Sequence, residues 1–390
     1  MWFRIFLLGV CFIDYAQAAY DPEDILKLNA GLGYQYDSNL FKLDENINNT
    51  QTNKMGKRSD SKLEARLGGR LDLTISRQLL TINADINQIS YQNFSDLNHN
   101  DWNTGLTWNW LIGSTLSGKL TANTSTRMSS FEDDFLSRNG NSVLDMQRQN
   151  SLNWQGTLQL KSSIAIIASA GTTTEKHDLK EYINAKSDVA SIGMQYQSEK
   201  GNFIAARHSW RKYTYDQDLP FRAGFKEQTS SIDIGYAPSS KIDINATVGL
   251  SQWESSLNGQ SQNTPQGDLA LVWRATSKSI FRMSYGQSFA EFTSGAGRNL
   301  DQRMNLNAKW LMTERTDWTI DFNRRDRSLE IAGSSSENDE STDSLRLALS
   351  YRALKPLTIS SYVQAEQRKS DVRNGNYKDY QFGFNARFDY

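Results

Sequence analysis

The chain has 390 residues, with 43 Lys and Arg against 44 Asp and Glu and a formal net charge of −1. Its charges are scattered rather than gathered, which gives no basic patch for a nucleic acid to bind. At 38% hydrophobic residues, and with no apolar run after the leader long enough for a membrane helix, the chain is either a water-soluble exported protein or a membrane β-barrel.

The first stretch reads as a signal peptide, residues 1–18. Arg4 precedes an apolar run from Ile5 to Ile13, and Ala16-Gln17-Ala18 supplies an A-x-A cleavage site. The run is too short to span a bilayer. Removal of the leader removes Cys11, the one cysteine, so no disulfide supports the mature chain.

From there the chain alternates apolar and polar residues, the period of a strand with one greasy and one wet face. Leu26, Leu28, Ala30, Leu32, Tyr34 and Tyr36 share one face of a first strand. Leu63, Leu67, Leu71 and Ile75 share a face of the second. The pattern continues through Leu80 to Ile86, Trp102 to Trp110, Leu116 to Thr124, Leu152 to Leu160, Ile164 to Ala170 and Ala190 to Tyr196. A strand near Phe203 to Tyr213 is least clear, because Ala205-Ala206 blurs its phase. The second half adds Ile232 to Tyr236, Ile242 to Leu250, Leu269 to Trp273, Phe281 to Tyr285, Met304 to Trp310, Trp318 to Phe322, Leu345 to Tyr351, Leu357 to Ala365 and the C-terminal strand. The predicted fold class is all-β: one transmembrane antiparallel up-and-down barrel over 19–390, of about 18 strands with 16 as the smaller alternative.

Short connections, such as Arg77-Gln78, Ile112-Gly113-Ser114 and Pro238-Ser239-Ser240, alternate with long polar ones, such as Asp37 to Ser61, Phe131 to Ser142 and Ser328 to Ser341. Outer-membrane barrels have short periplasmic turns and longer extracellular loops. The spacing of the short turns, roughly 40 residues, also fits propeller blades, but no blade motif repeats. Strands running toward the short turns end on their apolar face at Ile75, Trp110, Leu160, Tyr196, Tyr236, Trp273, Trp310, Tyr351 and Tyr390. A general preference of aromatics for strands does not place them at the same end of alternate strands. Trp110, Tyr196, Tyr236, Trp273, Trp310, Tyr351 and Tyr390 are therefore assigned to a periplasmic aromatic girdle.

The opposite face carries charge. Glu64, Arg66, Arg70, Asp72, Asp85, Lys119, Arg127, Arg282, Arg303, Asp317, Asp321, Arg346, Glu366 and Arg387 are candidate pore-lining residues. A barrel of about 18 strands encloses an aqueous lumen, and the competing account is that such an interior needs opposite charges merely to pair between strands.

Signals for catalysis are poor: there is no G-x-S-x-G, H-E-x-x-H, paired C-x-x-C or phosphate loop, and neither a catalytic site, a metal nor a cofactor is predicted. His99 and His177 are expected in loops. His208 and Ser209 are adjacent and so face opposite sides of a strand. The acidic runs Glu132-Asp133-Asp134 and Glu337-Asn338-Asp339-Glu340 are oxygen-rich enough for calcium but lack the spacing of a known loop, and read as solvated tips. Only Ala19 to Ile25 precede the first strand, which leaves no room for a plug domain.

The chain stops on an alternating strand, Tyr377 to Tyr390, with no tail. It resembles the closing strand through which outer-membrane barrels are read by the insertion machinery, so that machinery and membrane lipid are the expected partners. The stretch GLGYQYDSNLFKLDE, Gly31 to Glu45, resembles the opening of the EpsL family of outer-membrane barrels associated with exopolysaccharide biosynthesis clusters. That resemblance implies a place in the outer membrane of a Gram-negative bacterium and a non-enzymatic part in polysaccharide export, with polysaccharide and other export components as partners. The alternatives are a general or solute-specific porin, and a structural or adhesive barrel with a closed lumen.

Overall fold

The computed structural model describes residues 24–46, 57–132, 143–217, 224–256, 259, 261–291, 298–330, 338–371 and 374–390. The leader 1–18 lies outside them. The strands are β1 (Leu26–Asp37), β2 (Asp60–Ile75), β3 (Gln78–Tyr91), β4 (His99–Ile112), β5 (Leu116–Met128), β6 (Met146–Lys161), β7 (Ile164–His177), β8 (Ala185–Gln197) and β9 (Phe203–Tyr215). The second half holds β10 (Phe225–Ser239), β11 (Ile242–Ser255), β12 (Ser261–Arg274), β13 (Ser279–Glu291), β14 (Arg298–Leu311), β15 (Thr316–Glu330), β16 (Asn338–Arg352), β17 (Leu357–Ser370) and β18 (Tyr377–Asp389).

Each strand pairs antiparallel with the next, and β1 also pairs with β18, so the 18-stranded sheet closes on itself. Closure runs from Asn29 opposite Asp389 to Asp37 opposite Gln381. It is extended by two backbone bonds at the terminus, Leu28 N–H to Tyr390 O (2.6 Å) and Tyr390 N–H to Leu28 O (2.7 Å). A closed sheet has no edge, the condition for β-structure in hydrocarbon. With an even number of strands, β1 begins and β18 ends beside the short turns.

The period of two sets the two faces. Leu32, Leu67, Ile86, Ile192, Val248, Leu269 and Phe384 all stand on one face, and all are exposed. In water such a continuous apolar surface would be a liability; in lipid it is the required exterior. The other face carries most of the ion pairs and is the inner one. The chain therefore has the fold of an outer-membrane-type β-barrel.

The short turns are tight. Ser76, Gly113 and Gly201 take φ of 56°, 62° and 83° there, the left-handed conformation that reverses the chain in few residues. Tyr196, Tyr236, Trp273, Trp310, Tyr351 and Tyr390 stand exposed on the outer face at this end. Trp110 is half-buried because its indole lies over Gly118, where a Cβ would come within 2.3 Å of the ring.

Two expectations are corrected. His99 opens β4 and His177 closes β7, so neither is a loop residue. Both lie on the inner face with ring environments almost closed to solvent, His99 beside Asp101 at 3.4 Å and His177 beside Asp145 at 2.8 Å. The connection 92–98, with a 3-10 turn at Ser95–Leu97, is a further structured loop that alternation alone did not mark. β9 has a clear register after all: Ala206 pairs with Ile232 on the outer face, and Ala205 faces inward opposite Asp233.

Candidate functional site: the inner wall and its mouth

Every one of the fourteen candidate lining residues occupies an inner-face register position. They form local pairs more than isolated charges. Arg66 meets Asp85 at 3.0 Å, and Asp72 takes Arg70 at 2.9 Å, Lys27 at 3.2 Å and the Thr81 hydroxyl at 2.7 Å. Arg303 reaches Asp301 at 2.7 Å, Asp317 meets Lys309 at 3.3 Å, and Arg387 meets Asp389 at 2.7 Å. Arg282 donates to Asn307 Oδ1 (3.0 Å), and the Asn307 amide donates to Asp321 (2.6 Å). Arg127 donates to Gln147 (3.3 Å), and Arg346 stacks on the Tyr362 ring at 3.6 Å. Lys119 sits between Asn109 and Gln155, and Glu64 between Gly33 and Ile89. Arg66, Arg70, Arg303 and Arg387 remain about half exposed, so their guanidinium groups are open to the lumen.

The wall also holds charges that the alternation did not reveal. Asp301 is fully buried and gathers Arg303, Arg325 (2.6 Å) and Arg327 (3.6 Å). Arg207 pairs with Asp233 at 3.0 Å. β14 starts six residues before Met304, and β15 runs eight beyond Phe322. In these extensions both faces are mostly polar, so hydrophobic alternation fades although the two-residue spacing of Asp301 and Arg303, or of Arg325 and Arg327, persists.

At the long-loop end the interior closes in. The stretch Asp37 to Leu43 folds over the mouth rather than out into solvent. Asn39 is its pivot: its N–H donates to Asp37 Oδ1 (2.9 Å) and Asp379 Oδ1 (3.0 Å), its amide donates to Leu43 O (2.9 Å) and Lys378 O (3.1 Å), and its Oδ1 accepts from Leu43 N–H (3.0 Å). Lys42, at φ 54°, completes the turn. Its ammonium is hydrogen-bonded to Asp379 and lies 3.4 Å from Glu366. Burial works against that charge, but Glu366, Asp37 and Asp379 outweigh it and hold the Lys42 pKa above the ordinary lysine value. Tyr377 donates to Glu366 (2.9 Å) beneath the Lys42 ammonium.

The turn delivers Phe41 and Leu43, at 2% and 1% exposure, into an apolar cluster with Ile89, Tyr91, Phe94, Leu97 and Phe131. Phe41 meets Phe94 and Phe131 edge-on at 4.8 and 5.0 Å, pairs that add about 0.5–1.5 kcal/mol each beyond area burial. Asp60 holds the Phe94 loop by accepting from the N–H groups of Asn93 and Phe94, both at 3.0 Å. Arg368, stacked on Tyr377, donates to Glu132 O at 2.8 Å. β17 and the loop after β5 are separated by five strands around the ring, so this bond spans the mouth. Asp133, Asp134 and Glu337 lie outside the described residues, and among the described residues no His, Cys, Asp and Glu group could hold a metal ion.

His208 faces lipid, opposite in direction to Ser209, and its Nδ1 lies 2.8 Å from Ser230 Oγ on the next strand. The pair satisfies two polar groups that hydrocarbon could not.

The barrel is similar in fold to several solved porins. OpdK of Pseudomonas aeruginosa, crystallised with vanillate, matches over 94% of this chain and 99% of its own at 8% identity, TM-score 0.53. A BenF-like porin from Pseudomonas fluorescens Pf-5 matches over 94% and 99% at 10% identity, TM-score 0.53. OccK2 (OpdF) of Pseudomonas aeruginosa in complex with glucuronate matches over 95% and 99% at 10% identity, TM-score 0.51. No protein-family model matches the sequence, and no curated protein matches it.

Proposed function

We propose that the protein is a diffusion channel for small hydrophilic solutes in the outer membrane of a Gram-negative bacterium, with the Asp37–Leu43 turn as its constriction. The observation that carries this is a closed ring of 18 strands whose inner wall is charged from β1 around to β18. Barrels of this strand number leave an aqueous channel. Polar pairs between neighbouring strands line such a channel without bridging it, and among the described residues the contact that crosses the lumen, Arg368 to Glu132, lies at the mouth. The fourteen lining residues set the field along the path, and the ring from Trp110 to Tyr390 anchors the periplasmic edge. Vanillate and glucuronate in the similar structures are both carboxylates, and the half-exposed Arg66, Arg70, Arg303 and Arg387 suit an organic anion. Reconstituted into liposomes, the protein should admit small carboxylates and sugars in a swelling assay. Impermeable liposomes containing folded barrel would refute it.

A second reading, the polysaccharide export implied by the EpsL-like stretch, draws on the fact that this same stretch, Gly31 to Glu45, contributes the most tightly held turn in the mouth. The porin comparisons lend it no support. Gene deletion separates the two: loss of surface polysaccharide favours export, and an unchanged coat with reduced solute uptake favours the channel.

A further inference from the structure

The outer surface above the apolar band is not electrically uniform. On β6 to β10 the outward register, continued past the last apolar residues, places Arg148, Lys176, Lys186, Lys212 and Lys226, all exposed. Among the described strand residues one carboxylate lies with them: Asp188, 3.0 Å from Lys186. Across the barrel the same level of β15 to β17 carries Arg324 and Lys369 against Asp326, Asp339 and Asp343, and there Arg324 is bound by Asp326 at 2.9 Å.

Four of the basic residues stand directly opposite one another in two pairs. Arg148 is the register partner of Lys176, and Lys212 of Lys226. Like charges directly opposite on antiparallel strands destabilise a sheet. Asp188 stands opposite Lys212 and the exposed Glu254 opposite Lys226, which partly balances that row, whereas Arg148 lies between Thr126 and Lys176 and faces no carboxylate, so an anion supplied from outside would favour the arrangement.

Height identifies where that anion sits. Lys186 lies ten residues along β8 from Tyr196 of the short-turn ring. At about 3.3 Å per residue and a tilt of about 40°, this is about 25 Å, the height of the lipid-facing band in outer-membrane barrels. Just below, Ala190 and Trp210 pair across strands, and with Lys212, Lys226 and the one carboxylate Asp188 they border a shallow outward groove of about 280 Å³. Apolar wall below and basic rim above is the complement of an acylated, phosphorylated headgroup at the outer-leaflet interface.

We infer that the outer face of β6–β10 is a binding patch for the phosphorylated glycolipid of the outer leaflet, with Arg148, Lys176, Lys186, Lys212 and Lys226 holding its phosphates and Ala190 and Trp210 its acyl chains. The inference rests on the proposed orientation, with the long loops extracellular.

The test is native mass spectrometry of detergent-purified full-length protein titrated with bisphosphorylated hexa-acyl lipid A, with phosphate-free lipid A, phosphatidylglycerol and inorganic phosphate as comparison arms. Bisphosphorylated lipid A should bind at one per barrel. It should bind at least about tenfold more weakly to the variant combining K176Q, K186Q, K212Q and K226Q, and unchanged to R324Q. Equal binding of phosphate-free lipid A or of phosphatidylglycerol would overturn the inference, as would equal affinity of the quadruple variant. Retention of inorganic phosphate alone would reduce the patch to an unspecific anion site and overturn it too. Conductance measured on the same preparations separates the two proposals: a quadruple variant that keeps its conductance and its lipid A affinity contradicts the patch alone, whereas a silent wild type that binds lipid A contradicts the channel alone.

Discussion

Replacing Lys42 by Met should unlatch the mouth. The ammonium sits between Asp379, whose side chain is fully buried, and Glu366, and both lysine and glutamate side chains are mostly buried. Lys42→Met keeps the aliphatic stem but leaves those carboxylates, with Asp37 beside them, facing one another without a cation. Removing one partner of a buried pair costs about 3–5 kcal/mol. The Asn39 hydrogen bonds and the Phe41 contacts do not depend on that charge, so the loss falls on the docking of the turn and not on the barrel. At 1.4 kcal/mol per factor of ten, the ratio of released to docked turn should rise by about a hundredfold or more. Single-channel recording in planar bilayers would show longer or larger open states, and protease added on the long-loop side would cut between β1 and β2 sooner. Adding Asp379→Asn should recover part of the loss, since it removes one of the stranded charges. Wild-type conductance and wild-type protease resistance in Lys42→Met would refute the assignment of this turn as the constriction.

Deleting Phe388 to Tyr390 removes the Leu28–Tyr390 backbone pair and part of the β1–β18 ladder; the heat-modifiable folded band in electrophoresis should fall sharply, while Tyr390→Ala alone should lower assembly less. Gly118→Val should destabilise the barrel by several kcal/mol, because its Cβ meets both the Trp110 indole and the Gln155 carbonyl at 2.3 Å, whereas Gly69→Ala, with its nearest neighbour at 3.4 Å, should be tolerated; urea titration of the folded band compares them. Asp145, just before β6, is held below the usual carboxylate range: burial opposes this, but hydrogen bonds from His177, Leu179 N–H and Ser129 prevail. A lowered pKa contributes stability that is complete above the unfolded value and is lost as pH falls through the folded one. The β5–β6 and β7–β8 connections should accordingly loosen below about pH 4, seen as faster hydrogen exchange there than at pH 7, and Asp145→Asn should abolish that dependence.

The membrane-facing part of the barrel was legible in the sequence because lipid imposes its rule on every second residue. Leu63 to Ile75 or Tyr380 to Tyr390 announce both strand and face, and the Trp and Tyr residues beside the short turns announce the end. Beyond the band both faces are wet, and the rule lapses. That is why Asp301, Arg325, Arg368 and Asp379 went unread, and why His99 and His177 read as loop. The mouth was illegible for a different reason. Phe41, Phe94 and Phe131 belong to three connections far apart in sequence, and only closure of the ring brings them together. The one local signal was the Asp37–Leu43 motif, whose residues prove to be those that make the turn: Asn39 to pivot it, Lys42 to latch it, Phe41 and Leu43 to fill it.

The most direct test of the account is the ion conductance of the refolded, heat-modifiable barrel in planar bilayers. Discrete conductance steps are expected, blocked in part by a small carboxylate and increased in Lys42→Met. A correctly folded barrel that stays silent, both as wild type and as Lys42→Met, would contradict it.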